Sequence, residues 1–65
     1  MKYFSFKNFI CKTSAENEEF VTGDIMLYKK RKWRKFRRDA AITCKIQDVI
    51  AMDDEDLYNI TKHNK

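Results

Sequence analysis

Residues 29–38 read KKRKWRKFRR, eight cations in ten residues with no acid among them. A chain of 65 residues has no interior that could bury such a segment. Mutual repulsion at this density also opposes folding unless counter-charge offsets it. Whatever this chain forms must therefore display the run at its surface. The remainder is mildly acidic. Residues 1–28 set Lys2, Lys7 and Lys12 against Glu16, Glu18, Glu19 and Asp24, and residues 39–65 carry three basic and six acidic residues. The net charge of +4 thus resides in the run alone.

Around it, the composition is that of a folded domain. Hydrophobic residues make up 43% and aromatics 14% of the chain, too many for a disordered one. One domain is expected, 1–65, with a thin core, because a chain this short buries only about 60% of its unfolded surface. A single Gly and no Pro exclude collagen-like, Gly/Ser-linker and Pro-rich scaffolds. No apolar stretch reaches the ~18 residues of a transmembrane helix. The opening MKYFSFKNFICK lacks a small-residue cleavage site, so no signal peptide is expected and the predicted compartment is cytoplasmic. Cys11 and Cys44 are too few for a disulfide framework and read as two reduced core thiols.

The local patterns predict an α+β fold, a small antiparallel sheet of three or four strands with a short C-terminal helix. Residues 3–11 (YFSFKNFIC) are rich in aromatics and Ile and read as a strand whose alternation Asn8 breaks. Thr13-Ser14-Ala15-Glu16 has capping-box spacing and reads as one helical turn or a loop. Gly23-Asp24 is the strongest turn signal, predicting a hairpin between Glu19–Thr22 and Ile25–Tyr28. Residues 36–46 alternate, with Phe36, Ala40, Ile42, Cys44 and Ile46 on one side, and predict the inner strand; Val49–Met52 extends it or starts another. An alternative assignment caps a helix at Asp24 and runs it to about Ala41. After residue 52, four acids precede Leu57, Tyr58 and Ile60, and Lys62, His63 and Lys65 follow; that polarity matches a helix macrodipole, with Asp53 or Asp54 as cap. The core candidates are Phe4, Phe6, Ile10, Phe20, Ile25, Leu27, Ile42, Cys44, Ile46, Ile50, Leu57 and Ile60. So thin a core is compatible with a homodimer that covers an exposed edge.

Catalysis finds little support in these residues. His63 is the single histidine and lies near the end of the chain, a poor base for a cysteine nucleophile. One Gly cannot make a phosphate loop, the acids at 53–56 lack the spaced ligands of a calcium loop, and two Cys with one His do not make a zinc site. No enzyme activity, cofactor or metal is expected.

The basic run carries the functional expectation: a non-enzymatic nucleic-acid-binding protein using Tyr28, Lys29, Lys30, Arg31, Lys32, Trp33, Arg34, Lys35, Arg37 and Arg38. Cations that neutralise phosphates release condensed counterions, arginines add planar bidentate contacts, and Trp33 offers a stacking surface. The partner would be DNA or RNA. Two other uses compete. The run could hold an anionic membrane surface, although no lipidation signal accompanies it. Alternatively the chain is a small protein-binding inhibitor or regulator of the phage type that docks its basic patch on an acidic partner protein, since Trp, Tyr and Arg dominate protein interfaces.

Overall fold

The computed structural model describes residues 1–63. It is an α+β domain with more strands than the patterns predict. Six strands, β1 (Tyr3–Phe6), β2 (Phe9–Glu16), β3 (Phe20–Lys29), β4 (Lys32–Lys35), β5 (Ala41–Lys45) and β6 (Ile50–Met52), form one antiparallel sheet. A short 3-10 turn, Ile46–Asp48, precedes β6, and helix α1 (Asp54–His63) follows it. The strand order is β4-β3-β2-β1-β6, with β5 on the same edge of β3 as β4.

The sheet must curl. β5 and β6 lie on opposite edges, four strand spacings or about 19 Å apart if the sheet were flat. Residues 46–49 alone join them, and three of these are in the 3-10 turn. At ~2 Å of rise per 3-10 residue the link reaches too short a distance for a flat sheet. The link therefore draws the edges together over an inner face. Phe4, Cys11, Val21 and Cys44 are buried there, and Phe6, Ile25, Ile42, Ile46 and Val49 pack against them. The pairing puts these residues on one side: Phe4 faces Cys11, Cys11 faces Ile25, and Val21 faces Cys44. Met26 and Leu57 are buried outside this cluster. Phe20, Leu27 and Ile50, expected inside, are exposed.

Several sequence expectations are corrected. Residues 3–11 form a hairpin rather than one strand; Phe6 pairs with Phe9 across a Lys7-Asn8 turn, so the Asn8 that breaks the alternation marks the reversal. The Thr13–Glu16 segment is the end of β2, not a helical turn. The next reversal is made by Asn17, whose Oδ1 accepts the N–H groups of Glu19 and Phe20, each at 2.8 Å. Gly23-Asp24 is no turn: both lie inside β3, opposite Thr13 and Lys12. Residues 24–41 contain no helix. The predicted inner strand 36–46 is realised only as Ala41–Lys45, because Phe36–Ala40 leave the sheet and Ile46 enters the 3-10 turn. The segment at Val49–Met52 does start a further strand.

Helix α1 follows its charge pattern. Asp53 Oδ1 accepts from the Asp56 N–H while Asp56 Oδ2 accepts from the Asp53 N–H, both at 3.0 Å, a reciprocal cap that satisfies two N–H groups at the helix N-terminus. Lys2 donates to Asp54 at 2.7 Å, a hydrogen bond that lowers the pKa of that carboxyl and raises that of the lysine. Lys65, expected among the cations at the helix end, lies outside the described residues.

Both cysteines are free, and Cys11 is fully enclosed. They flank β3 on opposite sides, level with Ile25 and Val21, and sit too far apart along the strand for the ~4.4–6.8 Å between Cα atoms that a disulfide requires. Burial pushes the Cys11 thiol up to about 11 and also raises that of Cys44. Iodoacetamide at pH 8 should therefore label neither thiol in the native protein and both in urea. Labelling of the native protein at the rate of a free thiol would show that this core opens readily.

Thr13 Oγ1 is enclosed and makes no hydrogen bond. A buried hydroxyl without a partner costs roughly 1–3 kcal/mol, and an apolar isostere removes that cost. Thr13→Val should raise stability in urea denaturation by about 1 kcal/mol. A loss of stability would mean that the hydroxyl is satisfied.

Candidate nucleic-acid interface

The first half of β3, Phe20–Asp24, pairs with β5, and its second half, Met26–Lys29, pairs with β4. On the other edge β2 stops pairing at Met26. Beyond that point, residues 27–34 have only each other: Leu27 with Arg34, Tyr28 with Trp33, Lys29 with Lys32. They form a two-stranded ribbon that projects past the sheet, with Lys30-Arg31 at its tip.

Residues 29–38 are thereby divided. Lys29, Lys30, Arg31, Lys32 and Arg34 are exposed on the ribbon. Strand alternation places Lys29, Lys32 and Arg34 on the face shared with Leu27. Tyr28, Trp33 and Lys35 share the opposite face with Met26. Arg37 and Arg38 are not on the ribbon. Ile25 holds both sides of their loop, its carbonyl accepting from Phe36 N–H at 2.9 Å and its N–H donating to the Ala40 carbonyl at 3.0 Å. Between these anchors the loop carries Arg37, Arg38 and Asp39 out from the edge. The Arg37 guanidinium lies 5.3 Å from the Phe36 ring centre.

Trp33 and Tyr28 stiffen the ribbon. Their ring centres are 5.4 Å apart at an interplanar angle of 51°, a tilted cross-strand pair. Trp33 is half-buried, and its indole Nε1 is enclosed without a hydrogen-bond partner.

Counter-charge is scarce here. Among the described residues, Lys35 alone of the eight cations comes within 4 Å of an acid, 3.8 Å from Asp24. The acids of the chain lie mostly elsewhere for a topological reason. In an antiparallel meander successive turns alternate ends, so the Asn17–Glu19 reversal is at the end opposite Lys30-Arg31. β6 runs antiparallel to β1, away from the Lys7-Asn8 turn, and brings Asp54 beside Lys2, before α1 turns back and sets Asp56 near Ser5, Ile10 and Ile50. Glu16 and Asp54 are tied to neighbouring groups, the Met1 amino group and Lys2, each at 2.7 Å. The protein has a cationic end and an anionic end.

The ribbon tip is strained. Lys30 and Arg31 both have left-handed backbones, with φ of 53° and 64°. A two-residue hairpin turn with both φ values positive normally uses Asn-Gly, because Cβ-bearing residues pay a steric penalty there. No family model, no curated protein and no solved structure matches this chain. The candidate interface therefore rests on its own geometry. Among the described residues no three His, Cys, Asp or Glu groups gather as metal ligands, and no helix is long and apolar enough to cross a membrane.

Sequence reasoning overlooked one cation. Lys7 is exposed on the β1–β2 turn, at the same end as the ribbon tip, with its ammonium 5.4 Å from the Phe6 ring centre. No local pattern marks it; the number of strands between it and residue 29 decides which end it occupies.

Proposed function

We propose that this protein binds nucleic acid without catalysis, using the ribbon of residues 27–34 as its contact element and acting inside the cell. One observation carries the reading: the chain places seven cations beyond salt-bridge distance of any acid, among the described residues, on and beside a projecting element, strains its tip to put two of them there, and sets the acidic Asn17–Glu19 reversal at the opposite end. An edge strand protected from aggregation needs a lysine or two, not five exposed cations on a ribbon eight residues long. Strained backbone of this kind persists where surrounding structure enforces it, and it clusters at functional sites.

A second reading, docking on an acidic partner protein, draws on a different feature. Phe9, Leu27 and Phe36 are exposed at 46%, 37% and 46%, all on the inner-face side near the ribbon. Apolar contacts of this kind suit a protein surface better than a phosphate backbone.

Fluorescence anisotropy with labelled 20-nucleotide DNA and RNA, single- and double-stranded, tests the first reading. Binding should weaken steeply between about 50 and 200 mM salt, with a log–log slope that flattens as cations are removed from residues 29–34. Salt-independent binding would overturn the electrostatic mechanism. Capture of a protein partner that survives nuclease treatment, together with no nucleic-acid binding at low salt, would favour the second reading.

A further inference from the structure

The three non-glycine residues with left-handed backbones among the described residues are Lys7, Lys30 and Arg31, with φ of 53°, 53° and 64°. All three are cations, all stand on hairpin tips, and both tips lie at one end of the sheet. Lysine and arginine gain nothing from this conformation that Asn or Gly would not provide at lower cost. The shared feature is charge held at the outermost points of the protein, so we infer that both turns contact one ligand and that this ligand is double-stranded DNA. The inference rests on the nucleic-acid function proposed for the ribbon and deepens it.

The duplex follows from the spread of the cations over two turns. Lys29, Lys32 and Arg34 are on one face of the ribbon, Lys30 and Arg31 at its tip, and Lys7 on the neighbouring β1–β2 turn, while Lys35 lies at the ribbon base beside Asp24. A single strand tracks along one line of cations. A ribbon inserted in a groove has phosphate walls beside it, so cations at the tip, along one face and on the adjacent turn meet phosphates of both strands. The B-form major groove, about 12 Å wide, admits a two-stranded ribbon, whereas the A-form major groove of duplex RNA is too narrow for side chains to enter. The aromatic pair fits this assignment, since Trp33 is packed against Tyr28 instead of standing free for a base to stack on.

Lys7 then has a place. One residue beyond the Ile10–Met26 pair, Phe9 is level with Leu27, which sets the Lys7-Asn8 turn beside Tyr28 and behind the tip. One or two strand spacings separate it sideways from the ribbon, roughly 5–10 Å. With the ribbon in the groove, that offset brings the Lys7 ammonium to the phosphates of one groove wall. The anionic end, bearing Glu16, Glu18 and Glu19, points away from the duplex and keeps the approach end-on.

The test uses the full chain with a 20-base-pair DNA duplex, the same sequence as a single strand, and the corresponding RNA duplex, across about 50–200 mM salt. The DNA duplex should bind tightest. Lys7→Gln should reduce the magnitude of its salt slope by about one, as expected when one fewer phosphate is neutralised, and Lys7→Arg should restore it. Lys2→Gln, beside Asp54 on the side away from both turns, should leave the slope unchanged. Thermal melts of each variant establish that it is folded. If wild-type protein binds the duplex but Lys7→Gln leaves the slope untouched, or if single strands or duplex RNA bind as tightly, the duplex-DNA inference is overturned while the nucleic-acid function stands. If wild-type protein binds none of the three at low salt, both fall together.

Discussion

Gly23→Ala should cost about 3 kcal/mol or more, a large part of the domain's stability. Gly23 is buried in the middle of β3, between Thr13 of β2 and Ile42 of β5. A Cβ there would stand 2.5 Å from Phe4 Cε1 and 2.7 Å from the Lys12 carbonyl oxygen. Neither neighbour can yield. Phe4 is fully buried, and the Lys12 carbonyl is backbone of the adjacent strand. Over-packing in a core usually costs about 1–3 kcal/mol, and a clash with two fixed groups belongs at or above the top of that range. A domain this small starts near the lower end of the ~5–15 kcal/mol stability range, so the loss is a large share of the whole. Urea denaturation followed by circular dichroism measures it. A midpoint close to that of the parent chain would show that β3 does not pass this close to Phe4.

The second large effect runs in two directions at once. Lys30→Asn with Arg31→Gly installs the residues that the two-residue turn prefers. Relief of two left-handed side-chain clashes, at about 1 kcal/mol or more each, should stabilise the domain by roughly 2 kcal/mol. Removal of two charges from a crowded run adds to that gain. For a domain of this size the melting temperature should rise by about 8 °C or more. The same variant should neutralise two fewer phosphates, with the salt slope for DNA reduced in magnitude by about two. A stabilised variant that binds as before would place the DNA-binding surface elsewhere, and a destabilised one would mean that the tip is not built as described. Gain of stability with loss of binding is the signature of strain kept for use.

The class of fold was legible because it depends on periodicity and charge order, both local properties. Acids ahead of Leu57 and a cap at Asp53 produced the helix as the pattern predicts. The alternation of Ile42 and Cys44 produced a strand with both on the inner face. Reversals were not legible. Gly23-Asp24 carries the best turn chemistry in the chain, yet the glycine is there because Phe4 and Lys12 come too close for a Cβ, a contact between residues far apart in sequence. The true reversal at Lys30-Arg31 uses residues with weak turn preference and that at Lys7-Asn8 offers a single Asn, both being set by the register of the strands they join. The basic run was visible at once as a candidate site, but its division between ribbon and loop was not. That division depends on Ile25 anchoring both Phe36 and Ala40. Lys7 stayed hidden for the same reason.

The pairing of β1 with β6 joins Tyr3 to Met52 and Ser5 to Ile50, contacts that span most of the chain. Loop closure over such a length comes late in folding, because its entropic cost must be met before the contact contributes anything. During synthesis, the first fifty residues can form the meander from β1 to β5 but leave the outer edge of β1 bare. The residues that cover Phe4 from that side arrive last. Folding is thus timed by the far end of the chain: the cationic ribbon, made of sequence-local pairs, is able to form well before the domain that holds it is complete.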